Sequence, residues 1–453
     1  MKTNVYELRD PIHNFIHFDP DERRVINSRP LQRLRYIHQL ALTYLIYPGA
    51  THRRFEHSLG VMELAGRVFD VITHPENITD QVRRIFPEIT GQDFLRYWRK
   101  VLRIAALLHD VGHPPFSHAA EKELFPAGFN HEDMTRLLIS SREMRDLLSN
   151  LTPPVRFEDV VKIAIGPKKL RTTVFSDWEA VLAEIVTGDS FGVDRMDYLL
   201  RDSHHAGVAY GRFDHFRLIE TLRILPPPPV PPRSEVQQVL LPFGTEVSEN
   251  EGSLEPMLGI LVGGLNAAEG LLLARYSMYS QVYFHPNRVV YNLHLREFLK
   301  KHFRSGKFPR QAKKHLTITD NEITTAMLTA ALDPKNRTHG KARRIIERNH
   351  FKTLYHRDPE EFREHPAALK KLTAALKAEF GEENVLFSEY IEKGGPAEFP
   401  VELKDGRRSS SVAVSQVLKS LPIVSVGYIF IEPTLRDRAQ QWMDKNKARV
   451  LRQ

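Results

Sequence analysis

Four side chains in this sequence could hold a metal ion: His57, the adjacent His109 and Asp110, and Asp194. His57 stands in HRRFEHSLG at the start of a helical run. His109 and Asp110 close the apolar helix IAALLHD, which Gly112 and Pro114-Pro115 stop. Asp194 opens the helix in VDRMDYLLRDSHH. Each lies against apolar sequence, where burying a polar group without compensation costs about 2–7 kcal/mol. A shared cation is one compensation. Neutral imidazoles with ionised carboxylates suit zinc, iron, manganese or nickel without distinguishing among them. The chain has no cysteine, which excludes disulfides, zinc–thiolate sites and cysteine nucleophiles and leaves metal binding to His, Asp and Glu. Taken singly, each residue has an ordinary structural explanation, as a hydrogen-bonded core histidine or a chance His-Asp pair. Their order along the chain gives them weight together.

Two further patterns accompany the four. His118 and Glu121 are three apart in a predicted helix and can hydrogen-bond on one face. A carboxylate beside an imidazole raises its pKa and selects its tautomer, which suits a general acid near neutral pH. Asp194, Tyr198 and Asp202 fall at i, i+4 and i+8, a polar stripe leading away from a candidate ligand. That stripe can meet phosphate, sugar and base in turn, or it can simply face solvent.

The elements that must position these groups are mostly helical. At 453 residues the chain can bury a sizeable core and more than one structural unit. From Glu22 to about Arg223 the apolar spacing is helical, and a proline-rich break follows at Ile224–Gln238. VLLPFGTEV reads as a hairpin arm, and helical sequence is expected again from Leu258 to about Arg348. The apolar run Met257–Ala274 is interrupted by Asn266 and Glu269 and reads as a buried helix, not a membrane span. Beyond Leu376 short β-rich segments (ENVLFSEYI, AEFPVEL, IVSVGYIFIEP) mix with two helical ones. The expected fold is mainly α. A helical core spans residues 1–330, with a Pro-rich/hairpin insertion at about 225–255, and a small α+β C-terminal subdomain spans 331–453. The N-terminus MKTNVYELRD lacks an apolar signal region, so a cytoplasmic protein is expected. A net charge of +8 favours anionic partners, nucleotides or nucleic acid, or else only keeps the surface soluble.

The carrying segments DPIHNFI, LQRLRYIHQLALTYLIYPGATHRRFEHSLGV, ALLHDVGHPPFSHAAE, NHED, VDRMDYLLRDSHHAGV and RYSMYSQVYFHPNRVV are collinear over roughly residues 6–295. In that combination the chain resembles the HD superfamily, and within it the deoxynucleoside triphosphate triphosphohydrolase branch. The resemblance implies an HD-domain helical core in which His57, His109, Asp110 and Asp194 bind a divalent transition metal, with magnesium accompanying a bound triphosphate. It implies His118 as the proton donor, Glu121 as its orienting partner and His131 as a second active-site histidine. Arg54, Arg195 and Arg275 match phosphate-contacting positions, and Gln39 and Leu40 match residues beside the 3′-OH and base. Tyr198 matches a residue packed on the 2′ carbon, Asp202 an acceptor from the 3′-OH, and Tyr283 and His285 match residues near sugar or base. Some relatives carry Asp at the Glu121 position, and one carries Lys at Arg195. Pro286 replaces a basic residue, so base preference does not transfer. Gln32 and Arg35 match a nucleotide activator site, but Asn27, Tyr6 and Arg9 differ, so guanine-specific activation does not transfer either. Relatives form tetramers or larger assemblies, so a homo-oligomer is expected.

The leading functional expectation is hydrolysis of a deoxynucleoside triphosphate to deoxynucleoside and inorganic triphosphate. A second keeps the metal site but cleaves a phosphodiester or phosphomonoester of another nucleotide, since fold alone does not set the ester. A third is single-stranded nucleic-acid binding through the basic surface, which would be strongly salt-dependent.

Overall fold

The computed structural model describes residues 5–119, 121–226, 256–391 and 398–452; the side chains of His118, Lys122, Pro359, Glu360 and Arg363 lie outside that description. The fold is mainly α, with three small sheets. Its centre is the mutually packed set Arg54–Ile72, Gln92–Leu108, Phe157–Ile165, Asp177–Thr187 and Val193–Ala206. Helix starts follow local chemistry. Asp19, Asn130, Ser176 and Thr319 each accept from a first-turn amide, and an acidic residue three positions on returns the bond. The helix Gln92–Leu108 changes character along its length: its last eight residues, Val101–Leu108, are all buried. This drives His109 and Asp110 into the interior at the point where the helix ends.

An N-terminal hairpin, Tyr6–Asp10 with Asn14–Phe18, precedes the first helix and turns through Asn14 at positive φ. The described residues correct the expectation of a helix across Met257–Ala274. Met257–Leu261 is a strand, and the helix begins at Leu265. The strand is held on both sides, antiparallel to Leu222–Leu225 and parallel to Pro400–Glu402. A five-residue apolar run cannot by itself be told from a helix turn; pairing partners distant in sequence decide it here. Most of the expected Pro-rich insertion, residues 227–255 with VLLPFGTEV, lies outside the described residues.

The C-terminal part builds an antiparallel sheet in the order Lys352–His356, Ser425–Ile431, Val385–Ile391. One face packs on the helices Ala368–Phe380 and Arg436–Arg452 through Leu369, Leu372, Leu376 and Met443. The other face, through Val426, Tyr428 and Phe430, packs on Val289, Val290 and Leu293 of the helix Pro286–His302. Meanwhile Pro400–Glu402 and Arg408–Ser410 extend the sheet of the helical core. The C-terminal chain is therefore stitched to the core at two places. Among the described residues no helix is long and apolar enough to cross a membrane.

Candidate active site

The four expected metal ligands arrive on three helix ends. His57 stands in the first turn of Arg54–Ile72, His109 caps Gln92–Leu108 with Asp110 beyond it, and Asp194 is the second residue of Val193–Ala206. His57 Nε2 lies 3.0 Å from Asp194 Oδ1 and 3.7 Å from Asp110 Oδ2. His109 Nε2 lies 3.4 Å from Asp110 Oδ1 and 3.5 Å from Asp194 Oδ1. One ligand atom each from His57, His109 and Asp110 fall within 4.8 Å of one another. The donor set fits a divalent cation. His109 Nδ1 faces the Ala106 carbonyl at 2.7 Å, so it must donate, leaving Nε2 with a lone pair. That Nε2 is buried with no hydrogen-bond partner, the kind of orphan a bound cation satisfies. Burial works against a proton on His57, yet Asp194 and Asp197 outweigh it and raise its pKa to about 10. The carboxylates around this imidazole favour an added positive charge, which a proton or a cation can supply.

Behind the ligands lies a second layer. Asp197 accepts from His57 Nδ1 at 2.8 Å, from His13 Nε2 at 2.7 Å, and from Arg201 at 2.8 and 2.9 Å. Arg201, fully buried, also reaches Asp10 at 2.8 Å. The N-terminal hairpin is thereby tied to His57, one of the expected ligands. Gly60 gives the layer its room: a Cβ there would lie 1.9 Å from Asp197 Oδ1.

Beside the ligands, Arg54 bonds Asp110 through Nη1 and Ser117 Oγ through Nε. Burial alone would raise the Asp110 carboxyl, but Arg54, His109 and His113 hold it well below the carboxylate range. His113 Nε2 is 3.2 Å from Asp110 Oδ1, and its ring stacks on His131 with centroids 4.0 Å apart. Burial, with Arg54 and His131, keeps His113 neutral. The Glu121 carboxylate takes both the His131 amide and its Nδ1, at 2.8 and 2.6 Å. Glu121 thus orients His131; the side chain of His118 lies outside the described residues.

These groups face a cavity of about 470 Å³. Gln39, Leu40, Arg54, Asp110, His131, Asp194, Tyr198, Asp202 and Tyr283 line it. His57 and His109 lie buried beneath. Arg195, Arg275 and His285 are not on that wall. The guanidinium groups of Arg195 and Arg275 act on Asp189, and the His285 ring caps the helix Pro286–His302. Asp202 is held by His52 Nε2 and by the Tyr283 hydroxyl, each at 2.7 Å. Sequence reasoning does not reach His13, His52, Asp197, Arg201, His113 and Ser117, nor Arg288, which also lines the cavity. Asp197 and His113 each stand three residues from an expected ligand, Asp194 and Asp110, inside the same motifs, and that spacing is the available signal.

Residues 54–167 match the HD domain and residues 253–391 the HD associated region. The chain is 34% identical over 279 residues to an uncharacterized protein of Methanocaldococcus jannaschii, covering 62% of this chain and 46% of that one. It is 34% identical over 240 residues to deoxynucleoside triphosphate triphosphohydrolase SAMHD1 of Bos taurus, covering 48% and 38% respectively. The chain thus spans about half the length, or less, of these curated relatives. A hypothetical protein from Aquifex aeolicus superimposes with a TM-score of 0.73 at 30% identity, covering 96% of this chain and 99% of that one. A phosphohydrolase from Bacteroides thetaiotaomicron shares the fold, with a TM-score of 0.68 at 23% identity over 95% of this chain and 100% of that one. The HD match contains the helix ends that bring His57, His109 and Asp110 together, and the second match contains Tyr283 and Tyr390 of the same cavity; the chain belongs to the HD-domain family.

Proposed function

We propose that this chain hydrolyses a deoxynucleoside triphosphate to the deoxynucleoside and inorganic triphosphate. The observation that carries the reading is one cavity lined by Asp110 and Asp194 and also by the Asp202–Tyr283 pair. Asp194 and Asp202 are eight residues apart on one helix, about 12 Å at the helical rise, with Tyr198 between them. A ligand touching both ends is charged at one and hydroxylated at the other.

His57, His109, Asp110 and Asp194 would hold the metal, with zinc, iron, manganese and nickel all suited to the donor set and magnesium accompanying the triphosphate. When bound, the ion supplies a Lewis acid that lowers the pKa of water and neutralises charge developing on the phosphoryl group. Arg54, anchored by Asp110 and Ser117, presents its guanidinium to phosphate oxygens. Water adds to the α-phosphorus, the bond to O5′ breaks, and O5′ takes a proton from His118, the donor the resemblance implies, with His131 held at the site by Glu121. Asp202 keeps free lone pairs beyond its bonds to His52 and Tyr283 and accepts from the 3′-OH. Tyr198 closes against the 2′ carbon, which disfavours a ribose. Gln39 and Leu40 lie at the sugar and base, with Tyr283 nearby. The same reading takes in a cytoplasmic homo-oligomer modulated by a nucleotide at Gln32 and Arg35.

Product analysis across all dNTPs and NTPs, singly and mixed, with metal content measured on the same sample, tests the proposal. Intact triphosphate is expected from dNTPs, with activity lost in His109→Ala and Asp110→Ala. Pyrophosphate or orthophosphate as product would sink it, and equal turnover of ribonucleotides would favour another phosphoester.

A further inference from the structure

Three non-glycine residues on the cavity wall hold left-handed backbone: Ala41 at φ 49°, Phe116 at 56° and Ser117 at 52°. Side chains disfavour that region, and such residues persist where their surroundings hold them there. One side chain from elsewhere in the chain bonds Phe116 itself and His38, three residues before Ala41. Asp320, fully buried in the first turn of the helix Asp320–Leu332, accepts the Phe116 amide at Oδ1, 2.7 Å away. Its Oδ2 accepts the His38 amide at 2.8 Å and His38 Nδ1 at 2.7 Å.

Other bonds close the same unit. Ser117 Oγ donates to the His38 carbonyl at 3.3 Å and accepts from Arg54 Nε at 2.6 Å. Arg33, also buried, joins the Ile318 carbonyl, two residues before Asp320, to the His113 carbonyl. The Phe116 ring lies parallel to His38, with centroids 6.4 Å apart.

We propose that Asp320 is a positioning residue. It latches the His38–Ala41 and Phe116–Ser117 walls together, and through Ser117 it sets where Arg54 points. The inference rests on the reading that this cavity receives the triphosphate. Three donors converge on the Asp320 carboxylate, and an amide at that position would turn its own N–H groups toward at least one of them.

The test is Asp320→Asn in the full chain, read by amide hydrogen exchange, metal content, and kcat and KM on the dNTP turned over best. Exchange is expected to quicken in peptides containing His38–Ala41 and Phe116–Ser117. Metal content should hold while kcat/KM falls about 10- to 100-fold. His38→Phe keeps the ring and the backbone bond but removes the Nδ1 donor. It should give a smaller change of the same kind, and it carries the test if Asp320→Asn does not fold. Leu372→Ala, in the separate core under the C-terminal sheet, controls for general destabilisation and should leave both peptides unchanged. A folded Asp320→Asn with wild-type exchange in both peptides overturns the proposal. So does a kcat/KM loss no larger than that of Leu372→Ala. If the wild-type chain turns over no dNTP, the proposed function falls, and exchange still decides the latch.

Discussion

Asp197 accepts from His57 Nδ1 at 2.8 Å, on the opposite side of the ring from the nitrogen that lies 3.0 Å from Asp194. A carboxylate there fixes the imidazole tautomer, aims Nε2 at the proposed metal position and raises its basicity. Asp197→Asn should weaken metal binding by about 10- to 100-fold, measured by competition with a chelator. It should also lower the unfolding free energy, by about 3–5 kcal/mol if the buried Arg201 is left half-paired. Unchanged metal affinity in a folded Asp197→Asn protein would reduce Asp197 to a packing role.

Glu121 and His131 make the pH-sensitive pair. Burial resists a proton on His131, but Glu121 outweighs it and raises the pKa above the usual imidazole value. A group with a raised pKa keeps its proton to higher pH. An activity that needs protonated His131 is therefore lost only as pH climbs through that raised value. Glu121→Gln removes the charge, so the alkaline limb of kcat/KM should move to lower pH. An unmoved limb would take His131 out of proton transfer.

Tyr390 brings the C-terminal chain into the cavity. It lies on the strand Val385–Ile391, stacked on Phe284 with centroids 4.2 Å apart, and both rings are on the wall. Removing one ring of such a pair costs about 0.5–1.5 kcal/mol beyond its area. Tyr390→Ala should raise KM about 2- to 10-fold with kcat and metal content nearly unchanged. A large loss of kcat instead would assign the strand to the chemistry and not to substrate contact.

What the sequence made legible was the part whose chemistry is local. His57, His109, Asp110 and Asp194 stand at helix ends that punctuation and apolar spacing mark out, and each lies inside a distinctive motif. Contacts made between distant segments were not legible. Asp320 meets His38 and Phe116 from 282 and 204 residues away, and nothing in HLTITDNEI distinguishes its carboxylate from a helix cap. Asp197 was visible as a letter in VDRMDYLL, but a buried carboxylate paired with Arg201 and one facing solvent look alike in sequence. The apolar run Met257–Leu261 looks helical by itself because the strands that pair with it lie at Leu222–Leu225 and Pro400–Glu402.

Glu184 offers a prediction independent of catalysis. It lies on the helix Asp177–Thr187 and accepts the Leu258 amide at 2.9 Å, joining that helix to the strand Met257–Leu261. Burial pushes its carboxyl up from 4.5 to about 7, against the Leu258 bond and the charge of Lys168, which both work to lower it. Between those two values the folded chain binds the proton more tightly than the unfolded chain does. This contribution to stability is therefore full below the unfolded pKa and is lost as pH rises toward and through 7. Glu184→Gln keeps an acceptor for Leu258 and cannot ionise. Relative to wild type it should be near neutral at pH 5 and more stable at pH 8, by up to about 3 kcal/mol. Denaturant unfolding at the two pH values measures the difference. Equal effects at both would mean that Glu184 ionises as freely in the folded chain as in the unfolded one.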